Sequence, residues 1–414
     1  MSAERAAVTA IVPAGIDDPR RPSGGNRYDR AVLDALRAAG WRVREALAAG
    51  IWPRPDQGAR QKLARLLAAG PPGEPVLVDG LIASAAADLV TEAARRRRIV
   101  VLVHLPLGPS HPELAAAEAR MLRAVASVVA TSDWTRDWLI SHAGVPAGSV
   151  RVATPGVDPV TRARRSTTGG RLLCVAAVTR AKGYDVLLAA LAELADYHPA
   201  APEDGSGDAF APAVEPGWRC WCVGSLEVEP AFARQMLAGA TELGGQVRFT
   251  GPLTGEALAA RYAAADLLVL PSRSETWGLV ITEALARGIP VIAGDVGGVP
   301  QALGWAGGDR RHGRAGDGRR PGLLVPAGDP PALAGALRRW LDDPALRREL
   351  RAAAELRRTG LPGWDTTAAG LALALYGQCP PADACSVSAR PRRNVAGVGA
   401  GPTAGTEGRP SLSR

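Results

Sequence analysis

Residues 268–298, LVLPSRSETWGLVITEALARGIPVIAGDVGG, constrain this chain more than any other stretch. A short apolar run (267–270), a turn (271–274), a helical stretch and a second apolar run (290–293) make one strand, crossover and parallel strand. Such a unit requires a parallel sheet with helices laid over it, so the expected fold class is α/β. Its polar residues carry the chemistry. Glu275 falls in the turn and Glu283 about two helical turns further on, with Thr276, Trp277, Gly278, Leu279 and Val280 between them.

The first amides of a helix have no partner within it and carry the positive end of its dipole. The backbone of Gly278, Leu279 and Val280 can therefore cradle a diphosphate, with no side chain on Gly278 to keep it away. A carboxylate accepts from both hydroxyls of a vicinal diol, which suits Glu283 to a ribose and Glu275 to a sugar ring beyond the phosphates. Spacing alone equally allows two solvated charges near a helix start, where acidic residues are favoured in any protein.

Residues 271–298 resemble the donor-site signature of the retaining, two-domain (GT-B) glycosyltransferases of family 4. The shared features are a Glu, seven residues, a second Glu, an alanine-containing helix, a Gly-Ile-Pro-Val run and a Gly-Gly turn. More weakly, the resemblance extends over about 23–376. It implies two doubly wound Rossmann-like domains facing each other across a cleft. It further implies transfer from a nucleotide-sugar donor to a sugar, lipid-linked or small-molecule acceptor, with the anomeric configuration retained.

A chain of 414 residues has room for two or three domains. Strand-like runs at 7–14, 41–45, 75–79, 99–105 and 126–131 alternate with helical patterns at 28–39, 57–68, 82–97, 112–124 and 134–142. A second series has strands at 171–178, 219–223, 247–250, 266–270, 290–293 and 322–325, then helical patterns at 331–341, 344–357 and 365–376. The expected division is an N-terminal, acceptor-side domain (1–160), a linker (161–170) and a C-terminal, donor-side domain (171–360). The resemblance adds a helix crossing back to the N-terminal domain (361–379). Residues 380–414 are low in complexity and read as disordered, and the aperiodic insertions 199–216 and 304–320 as mobile loops.

Further candidates lie near strand ends, where open α/β sheets bind ligands. Gly24, Gly25 and Asn26 match a glycine loop that the resemblance puts near the donor phosphates and the acceptor, although Gly-Gly before a helix is an ordinary turn. His104 ends a strand. The resemblance gives it a sugar contact; the plain alternative is a core histidine satisfied by backbone. Lys182 opens the first helix of the second half, where a cation suits a diphosphate and matches the family's Lys-Gly. Glu275, His104 and Lys182 are the implied catalytic residues, and Gly224 and Leu253 are placed near the nucleotide base. Two departures stand out. Ala177 occupies the place of a common Arg, leaving Arg180 as the substitute charge, and Gln301 stands where relatives usually carry Glu.

Net charge is +8, which suits phosphorylated substrates or anionic lipid. The run Arg95 to Arg98 reads either as a solvated helix end or as a peripheral contact with an anionic membrane. Aromatic residues make up 4%, too few to interleave with the basic ones as stacking platforms, so a nucleic-acid partner is not expected. Five cysteines without CxxC spacing point to buried thiols in a reducing cytoplasm, and no apolar segment reaches the length of a membrane span. The chain is read as cytoplasmic, soluble or peripheral at the inner face of the membrane. There is no D-x-D and no cluster with metal-ligand spacing, so no metal and no cofactor are expected; Lys182, Arg180 and a helix dipole would neutralise the leaving group. The rival readings are an epimerase or hydrolase of nucleotide sugars with the same architecture, or a degenerate binding protein. An NAD-linked dehydrogenase is a poor fit because no GxGxxG follows either first strand.

Overall fold

The computed structural model describes residues 6–195, 197, 217–307 and 318–377. Six parallel strands form a first sheet: β1 (Ala7–Pro13), β2 (Arg42–Ala48), β3 (Val76–Asp79), β4 (Ile99–Val103), β5 (Ser127–Ala130) and β6 (Val150–Val152), in the order β2-β1-β3-β4-β5-β6. Six more form a second: β7 (Arg171–Val175), β8 (Arg219–Val223), β9 (Val247–Gly251), β10 (Leu267–Leu270), β11 (Val291–Gly294) and β12 (Gly322–Val325), in the order β12-β11-β10-β7-β8-β9. Every neighbouring pair is parallel.

Parallel strands are covered by helices on both faces, so they read as unbroken apolar runs. All residues of β4 and β10 are buried, while β2, at a sheet edge, mixes exposed and half-buried positions up to the buried Ala48. In each sheet the order reverses beside the first strand, at β1/β3 and at β7/β10. Those reversals open crevices at the carboxyl ends of the strands, where such folds take ligands.

Several elements depart from the sequence expectation for identifiable reasons. The first helix is Gly24–Ala38, so the Gly-Gly pair lies inside its first turn and not in a loop before it. Glycine's poor helix propensity hides this start. Ser23 makes it possible, its hydroxyl accepting from the Asn26 amide at 3.0 Å. The pattern at 82–97 is two short helices, Gly80–Ala85 and Ala87–Ala94, broken at Ala86; the Asp79 carboxylate caps the first by accepting from Ile82 N at 3.1 Å.

The arginine run divides in two. Arg95 and Arg96 are exposed and pair with Glu92, whereas Arg97 donates to the carbonyls of Ala69 and Glu74 and Arg98 to those of Ala374 and Leu375. Half of the run therefore fastens backbone.

The last described helix, Trp364–Tyr376, packs on the first sheet, its Leu371 and Leu375 sharing a core with Val8, Val32 and Leu36. Its Tyr376 hydroxyl accepts from Ala7 N at 3.1 Å and donates to Ala7 O at 2.7 Å. Gly156 lets the chain pass, since a Cβ there would lie 2.4 Å from Trp364 N. Cys174, Cys220 and Cys222 are buried free thiols. Among the described residues no helix is long and apolar enough to cross a membrane. Insertion 199–216, most of the second insertion and the segment 380–414 lie outside the described residues.

Candidate functional site

Two loops at the carboxyl ends of β7 and β10 interlock. Gly183, with φ +70, follows the turn Arg180–Lys182, and a Cβ on it would stand 2.0 Å from the Pro271 carbonyl. Only glycine fits. This contact brings Lys182 Nζ to 2.5 Å from Glu275 Oε1, which also accepts from Ser272 Oγ at 3.1 Å. The Gly297-Gly298 turn supports the same loop from beyond β11: Gly298 N donates to the Glu275 carbonyl at 3.0 Å, and a Cβ on Gly297 would fall 1.8 Å from that carbonyl.

The helix after this loop is Leu279–Leu285, with Gly278 as its N-cap at φ +86 and no side-chain cap. A Cβ at Gly278 would meet the side chains of Ile281 and Leu270 at 3.0 to 3.4 Å. Positive φ and this packing account for the glycine without reference to a ligand. Trp277 is buried, its Nε1 without a partner among the described residues; Thr276 lends its carbonyl to the close approach of Gly298, and Val280 is half-buried. Leu279 packs on the core of its own lobe and also on the core that holds Val32 and Trp364, with Cδ1 3.5 Å from where a Gly24 Cβ would stand.

Glu283 is 9% exposed. Its Oε2 accepts from the Tyr262 hydroxyl at 2.8 Å, and Oε1 lies 2.7 Å from Nε of Arg27, on the first helix of the other lobe. Arg27 also reaches Asp158 at 3.1 Å. Glu283 therefore points across the interlobe crevice, and a cation from the opposite lobe already covers it. Sequence reasoning missed both partners. Tyr262 carries no local signal, and Arg27 directly follows the Gly24-Gly25-Asn26 triplet without repeating any spacing.

Gly25 lies against His104, whose Cδ2 would be 3.2 Å from an added Cβ, while Asn26 Nδ2 donates to the Gly15 carbonyl at 3.3 Å. The His104 Nε2 hydrogen bonds Asp29 Oδ1 at 2.7 Å and stands 3.7 Å from Asp79 Oδ2. Asp29 and Asp79 were also missed. Asp29 did leave a trace, because it falls on the apolar stripe that carries Val32, Leu33 and Leu36. Burial pushes the Asp79 carboxyl up, and the nearby Asp29 charge adds to it, to about 7. Burial works against charge on His104, yet the Asp29 and Asp79 carboxylates outweigh it and hold the imidazole above its ordinary value. These three residues form the one His, Cys, Asp and Glu group compact enough for a metal ion among the described residues. Val12, Val32, Leu33, Leu77 and Leu102 wall the carboxyls in, and the 2.7 Å between His104 Nε2 and Asp29 Oδ1 is a hydrogen-bond distance.

The remaining predicted residues spread around this centre. The Arg180 guanidinium rests over the Phe232 ring, 4.9 Å from its centroid, so the cation in contact with Glu275 is that of Lys182 alone among the described residues. Gly224 packs on the strand end before Ala177, where a Cβ would fall 1.8 Å from the Ala176 carbonyl, and Leu253 packs on the core that holds Tyr262. Gln301 has a local explanation. Its Oε1 accepts from Asp133 N at 2.8 Å and its Nε2 donates to Asp133 Oδ2 at 3.0 Å, closing a second bridge between lobes that a glutamate could not make.

Two family patterns match the chain: Glycosyl transferases group 1 over 163–357 and Glycosyltransferase Family 4 over 22–160. Among curated relatives, a D-inositol 3-phosphate glycosyltransferase of Streptomyces avermitilis is 34% identical over 277 residues, 63% of this chain and 54% of the relative. A D-inositol 3-phosphate glycosyltransferase 1 of Catenulispora acidiphila is 34% identical over 284 residues, 65% of this chain and 61% of the relative. The chain thus spans little more than half the length of the curated relatives it matches. Among solved structures, sucrose-phosphate synthase of Thermosynechococcus elongatus superposes with a TM-score of 0.67 at 23% identity, over 88% of this chain and 96% of that one. Anabaena HepE in complex with UDP-glucose gives 0.65 at 18%, over 90% and 100%. Both share the fold.

Proposed function

The chain belongs to family 4 of the GT-B glycosyltransferases, and we propose that it moves a sugar from a nucleotide-sugar donor to an acceptor hydroxyl with retention of configuration. One observation supports this reading above the others: Glu275 and Glu283 flank the Gly278 helix start at the β7/β10 crevice, the first touching Lys182 and the second facing the opposite lobe.

In the proposed reaction Glu283 accepts from the ribose hydroxyls once Arg27 lets go of it. Glu275 binds the sugar ring. Lys182 and the backbone amides at 278–280 lie against the diphosphate and offset the charge that develops there, in place of a metal ion. The acceptor hydroxyl attacks the anomeric carbon on the face that the diphosphate leaves; the new C–O bond forms as the old one breaks, and the hydroxyl proton passes to the departing phosphate oxygen. Gly224 and Leu253 border the base, and Gly24, Gly25 and Asn26 the phosphates and acceptor.

The relatives' names suggest the first substrates to try: UDP-sugars as donors and inositol phosphates among the acceptors. Glu283→Ala is expected to raise the donor KM and Glu275→Ala to lower kcat, measured as release of nucleoside diphosphate. Full activity in the double variant would refute the site.

A further inference from the structure

His104 is buried on one side by a pair of acids and open on the other. Its Nε2 is committed to Asp29 Oδ1 at 2.7 Å, while Nδ1 has no hydrogen-bond partner among the described residues and the side chain keeps 18% of its surface exposed. A histidine whose one nitrogen donates to a carboxylate has its ring orientation and tautomer fixed, and the second nitrogen is the one free to work. The Tyr28 ring meets His104 edge-on with centroids 5.1 Å apart, and Gly25 closes over Cδ2, so the ring has little freedom to turn.

The charge balance of this pocket is the unusual part. Asp29 and Asp79 are 2% and 6% exposed and share a chamber otherwise walled by Val12, Val32, Leu33, Leu77 and Leu102. Oδ2 of Asp29 is buried without a hydrogen-bond partner, and no arginine or lysine is paired with either acid among the described residues. Two buried carboxylates without a cation are costly. Among the described residues, the positive charge available to them is a proton on His104.

We propose that Asp29 and Asp79 are positioning residues that hold His104 as a cation, with Nε2–H turned to Asp29 and Nδ1–H presented to the cleft as a hydrogen-bond donor to substrate oxygen. The proposal rests on the transferase reading for its substrate. Its chemistry differs from that of a base: Nδ1 gives a proton-bearing edge to a phosphate or sugar oxygen and abstracts nothing while charged. As pH rises through the histidine's raised pKa, Nε2 keeps its proton for Asp29 and Nδ1 loses its own, turning from donor to acceptor. Asp29, Asp79 and the Tyr28 phenol are the titratable groups facing the ring; the two acids raise its proton affinity and the phenol stays neutral in its buried site.

The test reads the histidine directly. The chain has five histidines, few enough to assign His104 by NMR with a His104→Gln variant. In the full-length wild type, His104 is expected to titrate above the ordinary value of 6.5, and in Asp29→Asn below it. The alkaline limb of the pH profile of kcat/KM should move to lower pH by the same interval, while Asp29→Glu restores much of it. A role limited to packing would lower activity or stability at every pH without moving the limb. A wild-type His104 titrating at or below 6.5 overturns the proposal, as does an Asp29→Asn protein whose titration and limb stay in place. If Asp29→Asn does not fold, the wild-type titration decides alone. Because the NMR titration needs no substrate, its failure and the failure of the transferase reading are told apart.

Discussion

A carboxyl such as that of Asp79, raised from 3.8 to about 7 in the fold, makes the folded state hold a proton that the unfolded chain has lost. Stability then falls as pH rises from about 4 through 7, the opposite of an ordinary paired acid. Replacing it by Asn keeps an oxygen to cap the helix at Ile82 and removes that pH-dependent loss. The difference in melting temperature between Asp79→Asn and wild type is therefore expected to shift in the variant's favour from pH 5 to pH 8. A constant difference would show that Asp79 is ionised in the fold throughout.

Helix starts in this chain do much of the joining between lobes. Those of Gly24–Ala38 and Leu279–Leu285 meet through Gly24 and Leu279, with Arg27 reaching across to Glu283. Those of Asp133–His142 and Val299–Leu303 meet through Asp133 and Gln301. Gln301→Glu would remove the donor and set a like charge beside Asp133, at a cost of about 1–3 kcal/mol. Urea unfolding would show this cost, and adding Asp133→Asn should recover part of it; additive losses would mean that the two side chains do not interact.

The strands and most helices were legible in the sequence because a strand buried on both faces must be apolar throughout, as 99–103 and 267–270 are. The two carboxylates were singled out by their spacing around a turn together with the family resemblance, and Lys182 by its place at a helix start and the family's Lys-Gly; the structure brings Lys182 and Glu275 into contact. Tyr262, Arg27, Asp29 and Asp79 were not legible, since each gains its meaning from a contact with a residue remote in the chain.

At the scale of the molecule, the two sheets are tied by a chain that passes between them twice. Strands β1 to β6 come first, β7 to β12 follow, and the Trp364–Tyr376 helix returns to cover Val8, Val32 and Leu36. Trp364 is 8% exposed and Leu371 and Leu375 are fully buried, so ending the chain at Pro362 should uncover that core and yield an insoluble or molten first lobe. Retention of a cooperative melt at the wild-type temperature would contradict this. Tyr376→Phe, which removes the hydroxyl's two bonds to Ala7, should cost about 1 kcal/mol.

The crevice between the lobes is where the account stands or falls, and titration calorimetry with a panel of UDP-, GDP- and ADP-sugars tests it most directly. One nucleotide sugar should bind the wild type, and Glu283→Ala should weaken it at least tenfold, about 1.4 kcal/mol. Absence of binding across the panel, or equal affinity in wild type and Glu283→Ala, would contradict the account.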